Sequence, residues 1–200
     1  MMESEDNSKF WEDLYIRDEA TWDLGGNTPI FESISKEINP GRICILGCGR
    51  GYDAVMFAKK KFEVTAIDFA PSAIKCINQL AIDSKVKIKT LKANIFNLSN
   101  NYMNQFDYVI EQTCFCAINP KNRKNYKNLV SNLLVKGGYL IGLWFPLDKD
   151  LSEGGPPWAT SVEEVKNLFS DGWVVEREEF SSLSIKPRAN REKLIIFRKV

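Results

Sequence analysis

The chain has 200 residues, a length that predicts a single domain with a substantial buried core. Its 27 Lys and Arg residues nearly balance 26 Asp and Glu residues, and this net charge of +1 argues against nucleic acid or an acidic membrane as a partner. The chain contains no histidine, which excludes Ser-His-Asp and Cys-His catalysis and removes the commonest general base.

Nothing in the chain predicts export or a membrane span. Residues 1–7 are polar and acidic, unlike an export signal, and no apolar run approaches the roughly 20 residues that a span needs. The cysteines are odd in number and lie in apolar stretches, which is typical of reduced thiols in a cytoplasmic protein: Cys44, Cys48, Cys76, Cys114 and Cys116. Cys114 and Cys116 form a C-x-C pair without any histidine, which favours two core or pocket-lining thiols over a zinc site. We therefore expect a cytoplasmic protein without a metal site.

Short apolar runs alternate with helical patterns from Arg42 onward, which predicts a mostly parallel α/β sheet. Strands are predicted at 42–46, 63–68, 87–93, 106–112 and 139–146, followed by an antiparallel pair at 173–180 and 193–200. Helices are predicted at 53–60, at 71–82, from Asn119-Pro120 to Lys136-Gly137-Gly138 with Leu134 on its apolar face, and at 161–169. The connection within the final pair, 181–191, is polar and is predicted to be a mobile loop.

Three glycines follow the first predicted strand directly: Gly47, Gly49 and Gly51. Ligands of open α/β sheets bind at this edge, and glycines let the backbone approach a ligand and offer its N–H groups. A dinucleotide fold has the spacing G-x-G-x-x-G, but Tyr52 stands where the third glycine of that pattern belongs. The spacing G-x-G-x-G favours S-adenosylmethionine (SAM) over a nicotinamide dinucleotide, and an NAD-dependent reductase is kept as an alternative.

Asp68 ends the second predicted strand, about 20 residues after Gly47, where a carboxylate can accept both hydroxyls of a ribose. This position suits NAD equally well, and the same side chain could instead cap the turn that follows the strand. Five strands followed by a strand pair are the order found in SAM-dependent methyltransferases, in which the last strand inserts antiparallel.

Four stretches together resemble the thiopurine S-methyltransferase family, which includes plant and bacterial halide/thiol methyltransferases. They are FWEDLYIRDEATWDLGGNTPIF, LGCGRGYDA, EQTCFCAINPKNRKNY and FPLDKDLSEGGPPW, and the resemblance extends from about Phe10 to Phe180. It implies a Rossmann-like class I SAM-dependent methyltransferase with a seven-stranded, mostly parallel sheet. It also implies that an N-terminal segment, residues 1–40, covers the cofactor on a core of residues 41–200. SAM would be the cofactor and S-adenosylhomocysteine the product.

The resemblance implies a role for three aromatic residues of the N-terminal segment, Trp11, Tyr15 and Trp22, of which Tyr15 replaces a more usual Trp. Aromatic faces attract a sulfonium cation and exclude water, although the same residues could pack a helix on the core. The other implied cofactor contacts are Gly47 at the methionine end, Gly49 in the same loop, Asp68 at the ribose, Asn94 and Ile95 at the adenine, and Gln112 facing the methyl donor and the acceptor.

Gln112 departs from both branches of the family. The stretch Glu111-Gln112-Thr113-Cys114-Phe115-Cys116-Ala117-Ile118 is more similar to Asp-Tyr-Thr-Phe-Phe-Cys-Ala-Ile of the halide/thiol branch than to Asp-Arg of the thiopurine branch. This favours methyl transfer to a small thiol, hydrosulfide or a halide-like anion. The alternatives are a thiopurine-type enzyme acting on aromatic or heterocyclic thiols and a SAM-binding domain without turnover.

Arg123 and Tyr126 lie one turn apart on the helix predicted after Pro120. They could line the mouth of the acceptor site, but a structural role is favoured. No residue is predicted to be a catalytic base, because a thiolate or halide acceptor is already anionic. We expect a monomer that binds a small-molecule substrate and neither nucleic acid nor a membrane.

Overall fold

The computed structural model describes residues 5–200, which divide into a first unit that ends at Leu98 and a second unit from Ser99 to Val200. The first unit contains α1 (Ser8–Ile16), α2 (Pro29–Ile34), β1 (Arg42–Leu46), α3 (Tyr52–Lys59), β2 (Glu63–Asp68), α4 (Pro71–Asp83) and β3 (Lys89–Lys92). The second contains β4 (Phe106–Gln112), α5 (Arg123–Leu133), β5 (Leu134–Trp144), α6 (Val162–Leu168), β6 (Trp173–Glu179) and β7 (Lys193–Lys199).

The strands confirm the predicted seven-stranded, mostly parallel sheet, in the order β3-β2-β1-β4-β5-β7-β6. Within the first unit, β2 pairs in parallel with both β1 and β3. Within the second, β4 and β5 are parallel, and β7 inserts antiparallel between β5 and β6. The predicted antiparallel insertion of the last strand is therefore confirmed.

The central strands form because their residues are apolar on both faces, as in parallel sheets covered by helices. β1 is buried from Ile43 to Leu46, and β2 is buried from Val64 to Asp68. Helix α4 begins with Pro71, whose fixed φ suits the first helical position, and it buries one face through Ala73, Ile77 and Ala81. These elements place the ends of β1 and β2 beside the N-termini of the helices that follow them.

The predicted boundary between α5 and β5 is wrong. The helix ends at Leu133, Leu134 begins β5, and Gly137 and Gly138 lie inside the strand instead of ending the helix. A Cβ at position 138 would lie 3.0 Å from the Val135 carbonyl oxygen and 3.1 Å from the Asp107 carbonyl oxygen. Gly138 therefore serves a close approach to β4, whose register with β5 shifts between Phe106 and Tyr108, whereas Gly137 has open space around it and a φ of 79°.

Two smaller expectations also change. β3 is shorter than the predicted 87–93, because pairing with β2 runs only from Lys89 to Lys92. The 181–191 connection, predicted to be a mobile loop, has one residue that packs in the interior: Arg188 is buried, and its guanidinium lies 5.5 Å from the centre of the Phe145 ring. Among residues 5–200, no helix is both long enough and apolar enough to cross a membrane.

Candidate active site

All three glycines of the loop after β1 have left-handed backbone angles, with φ of 59° at Gly47, 53° at Gly49 and 87° at Gly51. Glycine adopts this region without the steric penalty of a side chain. Gly51 precedes α3, and a Cβ there would lie 2.3 Å from Ile77 Cγ1 of α4. Gly51 is therefore a packing residue, whereas Gly47 and Gly49 remain candidates for contact with a ligand.

Asp68 holds the glycine loop from the end of β2. Its Oδ2 accepts a hydrogen bond from the Gly49 N–H at 2.9 Å, and its Oδ1 accepts one from the Ala70 N–H, also at 2.9 Å. Burial raises the pKa of the carboxyl, and the backbone N–H donors oppose that rise. Each ionised carboxylate oxygen has a further lone pair, so Asp68 can cap its turn and still accept hydrogen bonds from a ligand's hydroxyl groups.

The three predicted aromatic residues form one cluster. Trp22 packs edge-on against Trp11 and Tyr15, with ring centres 5.3 and 5.5 Å apart, and its Nε1–H donates to Tyr15 Oη at 3.4 Å. A Cβ on Gly49 would lie 3.3 Å from Tyr15 Oη, so the cluster lies on the glycine loop. Burial raises the pKa of Tyr15, and the negative charge of Asp68 raises it further, which keeps the phenol neutral.

Arg50, inside the glycine loop, connects the loop to the segment that follows α1. Its guanidinium pairs with Asp23 at 2.5 Å and with Asp18 at 3.2 Å, and lies 5.8 Å from the centre of the Tyr15 ring. The sequence reasoning did not identify Arg50. Its position between two glycines was the available signal, but the letters do not reveal which carboxylates it faces.

Two more carboxylates anchor the N-terminal segment. Glu12 of α1 accepts from the Ser72 N–H at 2.8 Å and from Ser72 Oγ at 2.6 Å, at the N-terminus of α4. Asp53 of α3 accepts from the Thr28 N–H at 2.7 Å and from Thr28 Oγ1 at 2.8 Å. Together with Arg50, these contacts attach residues 8–28 to α3, α4 and the glycine loop.

A cavity of about 540 Å³ lies beside the end of β3, within the roughly 300–1,000 Å³ usual for small-molecule sites. It is lined by Asp6, Asn7, Ser8, Phe69, Lys92, Ala93 and Asn94. The Asn94 Oδ1 accepts from the Phe96 N–H at 2.9 Å and so caps a short 3₁₀ helix, Ile95–Asn97. Of the predicted adenine pair, Asn94 lines this cavity and Ile95 is packed in the interior.

In the second unit, Gln112 ends β4 and is followed by Thr113 in a left-handed conformation with φ of 56°. Glu111 sets this turn, which the sequence reasoning did not foresee. Its Oε1 accepts from the Cys114 N–H at 3.1 Å and the Phe115 N–H at 2.9 Å, and its Oε2 accepts from the Tyr126 hydroxyl. Burial raises the pKa of Glu111 to about 7, against the lowering effect of these donors. The only signal for it in the sequence was an acidic residue inside a predicted buried strand.

Arg123 and Tyr126 are both buried. The Arg123 guanidinium pairs with Glu164 at 2.6 Å, donates to the Ala159 carbonyl oxygen at 2.6 Å, and lies 4.5 Å from the centre of the Phe115 ring. With Tyr126 bonded to Glu111, both residues hold the interior together, which favours their structural role over a place at the acceptor mouth.

The Gly-Gly-Pro-Pro stretch lies near the turn after β4. Lys149 Nζ donates to the carbonyl oxygens of Gly154 and Pro157, each at 2.7 Å. The Trp158 N–H, just beyond the prolines, donates to the Cys116 carbonyl oxygen at 2.7 Å. The loop before α6 is thus tied to the segment that Gln112 begins.

Comparisons with known proteins find similar sequences over nearly the whole chain. A family model described as thiopurine S-methyltransferase matches residues 6–198. The probable thiol methyltransferase 2 of Arabidopsis thaliana is 32% identical over 96% of this chain and 85% of its own length. The thiocyanate methyltransferase 1 of Brassica oleracea is 30% identical over 95% of this chain and 84% of its own length.

The fold also has a counterpart among solved structures. It resembles the 1,6-didemethyltoxoflavin-N1-methyltransferase of Burkholderia thailandensis, solved with bound 1,6-didemethyltoxoflavin and S-adenosylhomocysteine. The TM-score is 0.75 at 18% identity, and the match covers 96% of this chain and 87% of the other. At that level of identity the likeness establishes the fold, a methyltransferase α/β sheet.

Proposed function

The chain belongs to the thiopurine S-methyltransferase family, and we propose that it methylates a small thiol, hydrosulfide or a halide-like anion. As a member of that family it is a SAM-dependent methyltransferase. The similarity to a probable thiol methyltransferase over 96% of the chain is the observation that carries the choice of acceptor. The resemblance of residues 111–118 to the halide/thiol branch supports the same choice.

The residues around the glycine loop fit this cofactor. We assign the methionine end to the backbone at Gly47 and Gly49, and the ribose hydroxyls to the second lone pairs of Asp68. The adenine is assigned to Ile95 and to the cavity that Asn94 lines. We place Trp11, Tyr15 and Trp22 near the sulfonium, because aromatic faces attract cations and the neutral Tyr15 phenol adds no competing charge.

Bound SAM supplies a methyl group activated by its sulfonium. The chain has to hold the acceptor in line with that methyl group, at near-attack distance and away from water. Halides and thiocyanate arrive as anions, and a small thiol with a pKa near 8.5 is partly ionised at neutral pH. We assign Gln112 to the acceptor, because it ends β4 and begins the turn that Glu111 holds.

A second candidate, methylation of aromatic or heterocyclic thiols, is favoured by one observation, the match to the thiopurine S-methyltransferase model itself. We further infer a cytoplasmic monomer with a small-molecule substrate and no nucleic-acid partner. The near-neutral net charge argues against nucleic acid, and cysteines that form no disulfide suit a reducing compartment.

The test is methyl transfer from labelled SAM to hydrosulfide, thiocyanate, iodide, thiophenol and a thiopurine. Selective turnover of the small acceptors is expected. Turnover of the thiopurine alone would move the chain to the second candidate. Tight SAM binding in calorimetry without methylation of any acceptor would leave a binding domain and overturn the proposal.

A further inference from the structure

Glu192 is a buried carboxylate, and one of its two oxygens accepts no hydrogen bond among residues 5–200. Its side chain is 3% exposed, and its Oε1 accepts a hydrogen bond from Ser184 Oγ at 2.6 Å. Its Oε2 is also buried, but no hydrogen-bond donor among residues 5–200 reaches it. The Arg188 Nη1 atom lies 3.9 Å away, which is beyond hydrogen-bond distance. Buried oxygens without a donor are rare in folded proteins, and such an atom points to a ligand that supplies a proton.

Glu192 lies at the edge of the sheet where ligands of open α/β folds bind. Glu192 directly precedes β7, whose first residue, Lys193, lies opposite Trp144, the last residue of β5. β4 runs parallel to β5 and ends at Gln112, opposite Leu143. Glu192 therefore lies at the carboxyl ends of the parallel strands of the second unit, the edge at which open α/β sheets bind their ligands.

The charges around Glu192 suit a group that takes up a proton and releases it. Burial raises the pKa of the Glu192 carboxyl, while Ser184 and the positive charge of Arg188 oppose that rise. Arg188 also acts on the Cys116 thiol, whose pKa it lowers against the larger effect of burial. Cys116 lies in the turn that follows Gln112, so the positive charge of Arg188 acts both on Glu192 and on this turn.

We propose that Glu192 Oε2 accepts the proton of a neutral thiol acceptor, an inference that rests on the proposed S-methyltransferase function. The S–H bond breaks, its electron pair remains on sulfur, and the proton forms an O–H bond at Oε2. The thiolate is then the nucleophile for methyl transfer, and the Glu192 proton passes to water after turnover. Thiocyanate and iodide carry no proton and do not need this residue.

The test compares an alkyl thiol, mostly protonated at pH 7, with thiocyanate. Glu192→Gln keeps the shape of the side chain and removes the proton acceptor. We expect its kcat/KM to fall at least roughly 100-fold for the thiol and to change by no more than about twofold for thiocyanate. Ser184→Ala, which frees Oε1, should lower thiol turnover less. The matched control is Glu176→Gln, an exposed residue paired with Arg198, which should leave both activities unchanged.

A second readout does not depend on turnover. Calorimetry of alkyl-thiol binding in two buffers of different ionisation enthalpy measures the protons released. Wild-type protein should pass the thiol proton to Glu192 and release none to the buffer, whereas Glu192→Gln, measured at pH 9 where the thiol ionises, should release it to the buffer. Equal proton release by the two proteins would contradict the proposal.

The outcomes separate the two claims. Equal losses for thiol and thiocyanate would make Glu192 a structural residue, and full thiol activity in Glu192→Gln would remove it from the reaction. Either result would overturn this inference and leave the S-methyltransferase function standing. Failure of the wild-type protein to methylate any acceptor would overturn the proposed function, and this inference with it.

Discussion

Gly51 and Ile77 are in such close contact that a Cβ on Gly51 would lie 2.3 Å from Ile77 Cγ1. The third glycine of the loop therefore allows α3 to pack on α4, which places the other two glycines at the end of β1. At position 51 it is therefore atoms of the protein, and not a ligand, that leave no room for a side chain.

Replacing Gly51 should test this contact directly. Gly51→Ala is expected to lower the free energy of unfolding by about 3 kcal/mol, through the clash with Ile77 and the positive φ. Gly172→Ala is the matched control: it has a φ of 79° but open space around its Cβ, so only about 1–2 kcal/mol should be lost. Urea unfolding of both variants measures the difference, and equal losses would contradict the packing role.

Asp68→Ala should abolish most SAM binding, because it removes the acceptor for the Gly49 and Ala70 N–H groups and for the ribose. We expect the Kd for SAM, measured by calorimetry, to rise at least about 100-fold. Asp83→Ala, at an exposed carboxylate on α4, should leave the Kd unchanged. An unaltered affinity in Asp68→Ala would remove this residue from the site.

Glu111 should make stability depend on pH. Its folded pKa is about 7 against an ordinary value of 4.5, so the folded state holds the proton more tightly than the unfolded chain. The contribution is fully present below about pH 4.5, is lost as the pH rises to about 7, and amounts to about 3 kcal/mol. Glu111→Gln should flatten this change in urea unfolding between pH 5 and pH 8, while Glu63→Gln, at an exposed site, should not.

Tyr126→Phe tests the hydrogen bond that the Tyr126 hydroxyl donates to the Glu111 carboxylate. It removes the hydroxyl that donates to Glu111 Oε2, so an ionised carboxylate loses a buried partner. At pH 8 the free energy of unfolding should fall by about 1–3 kcal/mol, and at pH 5, where Glu111 is protonated, the loss should be smaller. A loss that is the same at both pH values would argue that Tyr126 acts through its packing alone.

Arg50→Gln should loosen the N-terminal segment, since it breaks the ion pairs with Asp18 and Asp23. For partly exposed pairs worth about 1 kcal/mol, we expect the Kd for SAM to rise about fivefold. Hydrogen exchange in α1 should quicken, and added salt should reduce the difference from wild type. Arg17→Gln, which breaks an exposed pair with Glu19, is the control. Identical exchange in the two variants would show that Arg50 does not hold the segment.

The strands were predictable where apolar runs were continuous. β1, β2 and β4 begin and end at the predicted residues, because buried parallel strands need apolar side chains on both faces. The α5–β5 boundary was not predictable, since two consecutive glycines suit a helix end as well as a close approach between strands.

The cofactor site was predictable in part. The sequence indicated that Gly49, Asp68 and Tyr15 would lie together, and their contacts agree, while their roles toward SAM stay predictions. The roles of the buried acids Glu111 and Glu192 were not predictable, because the sequence does not show that a turn brings two backbone N–H groups to Glu111, or that no donor among residues 5–200 reaches Glu192 Oε2. The sequence shows neither the direction of a carboxylate side chain nor the hydrogen-bond donors that reach its oxygens.

The insertion of β7 between β5 and β6 sets an order of assembly. On the ribosome β6 is synthesised before β7, but in the folded sheet β7 pairs with both β5 and β6 and lies between them. Until β7 has been synthesised, β6 therefore has no native partner strand and can pair incorrectly with β5. The final hairpin is consequently where a nascent chain is most exposed to misfolding, and where a chaperone that shields unpaired strand edges would help most.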